Sequence, residues 1–150
     1  MATTAKPLNR LHFSIDIDAP RDKVWRALWD DASYREWTNV FAEGSYAVGD
    51  WKEGSTMKFI DPSSNAGMSA VIEKKREPEF MSIRHEAEIK DGQVQGPAEW
   101  TGAHENYTLT GKNGRTTLAV DLDASDEHRK MFEDKFPQAL QRVKKLSEGK

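Results

Sequence analysis

LHFSIDIDAPRDKVWRALWD, residues 11–30, contains the change of period that decides the fold. From Leu11 to Asp18 apolar and polar residues alternate. Leu11, Phe13, Ile15 and Ile17 fall on one face, and His12, Ser14, Asp16 and Asp18 on the other. Successive side chains of a strand point to opposite faces, so this is a strand with one buried face. Pro20 then has the fixed φ and the missing N–H that suit a first helical residue, with Asp18 or Ala19 available as cap. Val24, Trp25, Leu28 and Trp29 recur at i, i+1, i+4 and i+5, the stripe of a short helix packed hard on one side.

Upstream, residues 1–10 are polar and read as a loose tail. Downstream, DASYREWT (31–38) predicts a second short helix, capped at Asp31 or Ser33 and carrying Tyr34 and Trp37. Strand and turn signals follow. GSYAVGDW turns at Gly49-Asp50, STMKFID alternates through Met57 and Phe59, and residues 61–67 are loop by composition. MSAVIEKKRE and FMSIRHEAEI read as strands flanking Glu77-Pro78-Glu79, and KDGQVQGPAE as a turn-rich connection. EWTGAHENYTLT (99–110) is a further strand, and Asn113-Gly114 centres a hairpin turn. RTTLAVDLD alternates through Leu118, Val120 and Leu122.

The period changes again after residue 124. Met131, Phe132, Phe136, Leu140, Val143 and Leu146 form a helical stripe starting from a Ser125 or Asp126 cap, and Pro137 predicts a kink or break near Phe136. The order is strand, two short helices, a meander of about six strands and a long C-terminal helix. An antiparallel sheet with one wet face must bury the other, and the terminal helix is the element large enough to cover it. Space left between sheet and helix is where a ligand would go.

The chain has 150 residues, the size of one domain with a core and a pocket. It has 22 basic and 25 acidic residues, a balance without the electrostatic signature of a nucleic-acid partner. Mean hydropathy is low at −0.79, yet five Trp and six Phe concentrate the apolar surface in large side chains. The absence of Cys excludes disulfides, thiolate catalysis and Cys-ligated metal. No segment has the ~20 apolar residues of a membrane span, so a soluble, cytoplasmic protein is expected. The four His lack HxH or HExxH spacing, there is no G-x-S-x-G, and no Gly cluster precedes a helix. No metal and no cofactor are expected.

FSIDIDAPRDKVWRALWD, YREW, GDWKEGSTMKF, ENYTLT and FPQALQRVKKLSE together resemble the START-like, helix-grip superfamily called SRPBCC. Within it the sequence is similar to the group named after the activator of heat-shock-protein ATPase homologue and the polyketide cyclases. The resemblance runs from about Leu11 to Glu148. The motif VWRAL after Ala19-Pro20, the W-x-x-G-S of Trp51 to Ser55 and the terminal ALQRVKKLSE carry it jointly. It implies an α+β helix-grip fold: one domain over residues 1–150, a curved antiparallel sheet of about seven strands wrapped on the C-terminal helix, two short helices after the first strand, and a hydrophobic cavity between. No catalytic residue carries over. The superfamily spans lipid carriers, receptors, cyclases and co-chaperone domains, so fold alone does not fix function.

Period-2 geometry narrows the candidate site. If Tyr107 and Leu109 face the helix, so does Glu105, unless a bulge at Gly102 turns it back to water. Met81, Ile83, His85, Ala87 and Ile89 share the apolar face of their strand, so His85 points inward too. A His85–Glu105 pair with the Tyr107 hydroxyl would make a polar cluster in an apolar pocket, either a ligand-orienting site or a satisfied internal pair. His12, His104 and His128 are read as exposed, and Trp25 and Trp29 as core. The candidate cavity residues are Trp37, Trp51, Met57, Phe59, Met68, Met81, Ile83, His85, Glu105, Tyr107, Met131, Phe132 and Phe136. Trp37 and Trp51 are placed at its mouth, a position the resemblance favours.

Two classes of function follow. The first is a carrier or sensor holding a small apolar or aromatic ligand, with the Met side chains as adaptable lining. The second is a cyclase- or hydrolase-like enzyme using His85, Glu105 and Tyr107, which requires His85 and Glu105 to lie within ~7 Å. A chaperone-partner domain follows from the family name alone. A monomer or a homodimer is expected.

Overall fold

The computed structural model describes residues 8–149 except 97 and 99. Among the described residues eight strands form one curved antiparallel sheet: β1 Asn9–Ile17, β2 Tyr46–Val48, β3 Thr56–Asp61, β4 Ala66–Arg76, β5 Phe80–Lys90, β6 Gln93–Val94, β7 His104–Lys112 and β8 Arg115–Ala124. The sheet order is β1-β8-β7-β5-β4-β3-β2, with the two-residue β6 paired to β5. Two short helices, α1 Arg21–Trp29 and α2 Asp31–Thr38, follow β1, and α3 Asp126–Glu148 closes the chain. This is the helix-grip α+β architecture, with eight strands rather than about seven. The additional pairing comes from β6, inside the connection read as turns.

The first strand begins at Asn9, so Asn9 and Arg10 belong to the sheet; the rest of the expected tail, 1–7, lies outside the described residues. Leu11 and Ile17 are buried on the inner face of β1, as their alternation requires. Pro20 is the N-cap of α1, so the helix starts at Arg21, one residue later than expected. The Pro20 carbonyl accepts from the Lys23 and Val24 N–H groups, and no side chain caps the helix. Asp30, not Asp31 or Ser33, precedes α2; the Ser33 hydroxyl donates to the Arg26 and Asp30 carbonyls instead. The expected 61–67 loop shrinks to a four-residue turn, because β3 runs to Asp61 and β4 starts at Ala66. Asn113 and Gly114 both have positive φ, at 54° and 75°, as a two-residue hairpin between Lys112 and Arg115 demands.

α3 runs unbroken through Pro137, so the expected break does not form. Its buried stripe is Phe136, Ala139, Leu140, Val143 and Ser147, packed with α1 residues Val24 and Leu28 and the sheet residues Ile17, Leu118 and Val120 in one core. Leu146 and Met131, expected in that stripe, each stay 37% exposed. The buried face drifts along the helix and includes the small side chains of Ala139 and Ser147.

The register of β4 against β5 shifts by one between Ser69 and Ala70, leaving Glu86 as the extra residue. Ala70 faces His85 but Ser69 faces Ala87. A bulge of this kind exchanges the faces beyond it. Ala87 and Ile89 therefore do not continue the inner face of His85; Glu88 and its partner Met68 do.

Candidate functional site

Sheet and α3 separate towards the N-terminal end of that helix, leaving a cavity of about 360 Å³. Strands β3, β4, β5, β7 and β8, helix α2 with the segment after it, and the first turns of α3 contribute its walls. The walls are mainly aromatic. Trp29, Tyr34, Trp37, Phe59, Trp100 and Phe132 all face it, and many of these rings meet edge-on. Tilted and edge-to-face arrangements of this kind are electrostatically favourable.

One wall carries a polar cluster. β5 and β7 are direct neighbours, Ile83 pairs with Glu105, and His85 is diagonal to it on the same face. The His85 Nε2–H donates to Glu105 Oε1 at 3.1 Å, and the Tyr107 hydroxyl donates to Glu105 Oε2. Since the carboxylate accepts, Nε2 carries the imidazole hydrogen. Burial, then the negative charge of Glu105, push the Tyr107 and Tyr34 hydroxyls well above the ordinary phenol range, so both remain protonated at neutral pH. The His85 ring lies edge-on to Phe59 and Trp100, with centroids 6.2 and 6.3 Å away. His85 Nδ1 and Trp29 Nε1 are the buried side-chain polar atoms without a hydrogen-bond partner among the described residues.

Of the expected residues, Trp37, Phe59, Met68, Ile83, His85, Glu105, Met131, Phe132 and Phe136 line the cavity. Four do not. Met57 and Met81 are fully buried beneath it, because facing inward does not set how near a residue lies to the open end. Tyr107 is also fully buried; it lies behind the wall, against Trp29 and Trp37, with its hydroxyl on Glu105. Trp51 sits behind Trp29, Tyr34 and Phe59, at ring separations of 4.9, 5.6 and 5.8 Å. The bulge anticipated at Gly102 takes the form of a turn before β7, which starts at His104, and Glu105 stays on the inner face.

Other residues of the wall escaped the sequence reading. Trp29, read purely as core, faces the cavity, as does Tyr34. Trp100 arrives on the turn before β7, held by the Gly102 N–H donating to the His85 carbonyl and by the Ala103 N–H to the Trp100 carbonyl. Only the bulge at Glu86 could have signalled Glu88, and it has no composition cue. His104 is half-buried rather than exposed and bonds Glu73 through Nε2, whereas exposed His128 pairs with the Ser125 hydroxyl at the cavity rim. Among the described residues, no group of three His, Cys, Asp or Glu could hold a metal ion, and no helix is long and apolar enough to cross a membrane.

Residues 18–148 match the family model described as Activator of Hsp90 ATPase homolog 1-like protein. The chain belongs to this family. Solved structures place it among helix-grip proteins. Protein MLL2253 from Mesorhizobium loti superposes with a TM-score of 0.73 at 15% identity, covering 92% of this chain and 96% of that one. The Aha1 dimer from Colwellia psychrerythraea gives 0.71 at 19% identity, over 93% and 96% of the two chains. DynU16, a protein of the dynemicin biosynthetic locus, gives 0.68 at 17% identity over 94% of this chain, which spans only 48% of DynU16. No curated protein matches the sequence. At these identities the likeness is one of fold. In this member of the family the W-x-x-G-S motif is a structural turn: the Gly54 N–H donates to the Ile72 carbonyl at 2.7 Å, and the Ile72 N–H to the Ser55 carbonyl at 3.0 Å.

Proposed function

We propose that the protein is a cytoplasmic carrier or sensor that holds a small apolar or aromatic molecule in the cavity between sheet and α3. The observation that carries this reading is an aromatic-walled cavity, open at one end, with the His85–Glu105–Tyr107 polar cluster in its wall. Its size lies at the lower end of that of small-molecule sites, and such sites combine apolar walls with a few placed polar groups. The apolar body of the ligand would lie against Trp37, Phe59 and Phe132, and its polar end at Glu105. Gentle purification, denaturation and mass spectrometry of the extract test it. A stoichiometric small molecule, lost in a folded variant with the cavity filled by Ala103→Trp, is the expected result. An empty extract, with no change in tryptophan emission across a panel of aromatic compounds, counts against it.

A second reading, a cyclase- or hydrolase-like catalyst, is favoured by the 3.1 Å contact between His85 and Glu105. That is within reach for proton transfer and well inside the ~7 Å that this mechanism tolerates. A partner-domain role has weaker support. The large exposed apolar side chains Val48, Val94, Met131 and Leu146 lie on three different elements, β2, β6 and α3. The dimeric Colwellia protein makes a homodimer worth testing by sedimentation.

A further inference from the structure

We propose that the ligand of this cavity is an organic cation, an ammonium group on an apolar or aromatic body, with the charged group seated at Glu105. This rests on the reading of the cavity as a ligand site and adds the sign of the ligand's charge.

Four carboxylates line the cavity, Asp61, Glu88, Glu105 and Asp123, whereas no Lys or Arg among the described residues does. Two of the four have a cation elsewhere, and a third is held by hydroxyls of its own turn. Asp123 binds Arg10 at 2.7 Å, Glu88 lies 3.8 Å from Lys90, and Asp61 accepts from the Ser63 and Ser64 hydroxyls. Glu105 has only Tyr107 and His85. Tyr107 is a neutral donor. The hydrogen on His85 Nε2 satisfies the contact, and Nδ1 is enclosed without an acceptor, so a second hydrogen there would be buried unpaired. The imidazole meets and orients the carboxylate through this one Nε2 contact.

The Glu105 side chain nevertheless keeps 23% of its exposure, on the cavity side, so a bound group can reach it. A ligand that displaces water from this wall strips solvent from a carboxylate. A neutral ligand leaves that charge uncompensated, and an anion is repelled by it. A cation meets both the charge and the negative faces of the surrounding rings, a combination known to favour ammonium groups. The nearby Arg35 stacks on the Tyr46 ring at 5.2 Å, but its charge is already met by Asp31 at 3.0 Å. Of the other imidazoles, His104 is tied to Glu73 and His128 to Ser125.

Quenching of tryptophan emission reads the test, since Trp29, Trp37 and Trp100 lie in the wall. The probes are phenethyltrimethylammonium, its carbon isostere (3,3-dimethylbutyl)benzene, and 4-phenylbutyrate, at about pH 8, where an ordinary imidazole is neutral. The ammonium is expected to bind at least about tenfold more tightly than the isostere, with butyrate weakest. Glu105→Gln, which keeps the size of the side chain, is expected to remove most of that margin and leave the isostere unchanged. Phe59→Leu is a second variant, expected to weaken the ammonium more than the isostere. Equal binding of ammonium and isostere, or tightest binding of butyrate, overturns the charge assignment and leaves the cavity a ligand site. A margin that persists in folded Glu105→Gln also overturns it. Binding of none of the three overturns the cavity reading as well.

Discussion

The two halves of α3 meet the same sheet with different results. In its C-terminal half Ala139, Leu140 and Val143 are buried against Ile17, Val24, Leu28 and Leu118, and the layers close. In its N-terminal half His128, Met131 and Phe132 stand over the cavity, and the facing surface is built from rings and carboxylates. At the closed end aliphatic side chains interdigitate as in any protein interior, whereas at the open end the facing layers do not meet. One helix thus serves as a stabilising element at one end and as the roof of a chamber at the other.

This division predicts unequal costs. Leu140→Ala at the closed end is expected to lower unfolding free energy by about 3 kcal/mol, through lost burial and the void left behind. Met131→Ala at the open end is expected to change it by less than about 0.5 kcal/mol. Denaturant titration of both variants decides, and equal losses would break the comparison. Gly67→Ala lies between the two in effect. Gly67 lines the cavity, but a Cβ there would fall 1.9 Å from the Phe59 carbonyl oxygen of the neighbouring strand. A loss of about 2 kcal/mol is expected, because backbone rather than a flexible side chain must move. A neutral result would mean that the cavity rim is softer than its pairing suggests.

A further expected effect concerns pH. Burial alone would raise the Asp123 carboxyl, but the Arg10 guanidinium and the His104 N–H outweigh it and hold it below the ordinary carboxylate range. The hydrogen bond from His104 holds the exposed Glu73 low in the same way, with help from Arg84. A carboxyl depressed in the folded state contributes stability above its unfolded value and loses it as pH falls through the depressed one. Unfolding midpoints should therefore decline below about pH 4. Asp123→Asn should flatten the slope, with less than about 1 kcal/mol at stake. An unchanged slope would detach this rim carboxylate from folding.

Face was legible in the sequence, but depth was not. Alternation placed Glu105 and His85 inward and the Asn113-Gly114 hairpin where it occurs, because strand period and turn chemistry are local. Alternation could not separate Phe59, in the cavity wall, from Met57, sealed two residues earlier on the same face. Nor could it register the single extra residue at Glu86, after which Glu88 replaces Ala87 on the inner side. Trp51 was placed at the mouth on its proximity to a turn, yet its ring lies behind Trp29 and Tyr34. Such positions are set by how strands pair across the sheet, and no local pattern encodes that.

The pairing of β1 with β8, Asn9 against Ala124 at one end and Ile17 against Thr116 at the other, also determines when the molecule can assemble. The first strand to leave the ribosome waits for the last one before it gains a neighbour. Until then Leu11 and Ile17 remain without the surface that covers them. Long-range closures of this kind delay folding more than local ones. A nascent chain halted before residue 115 lacks both β8 and α3, so the sheet closes only once those residues have emerged.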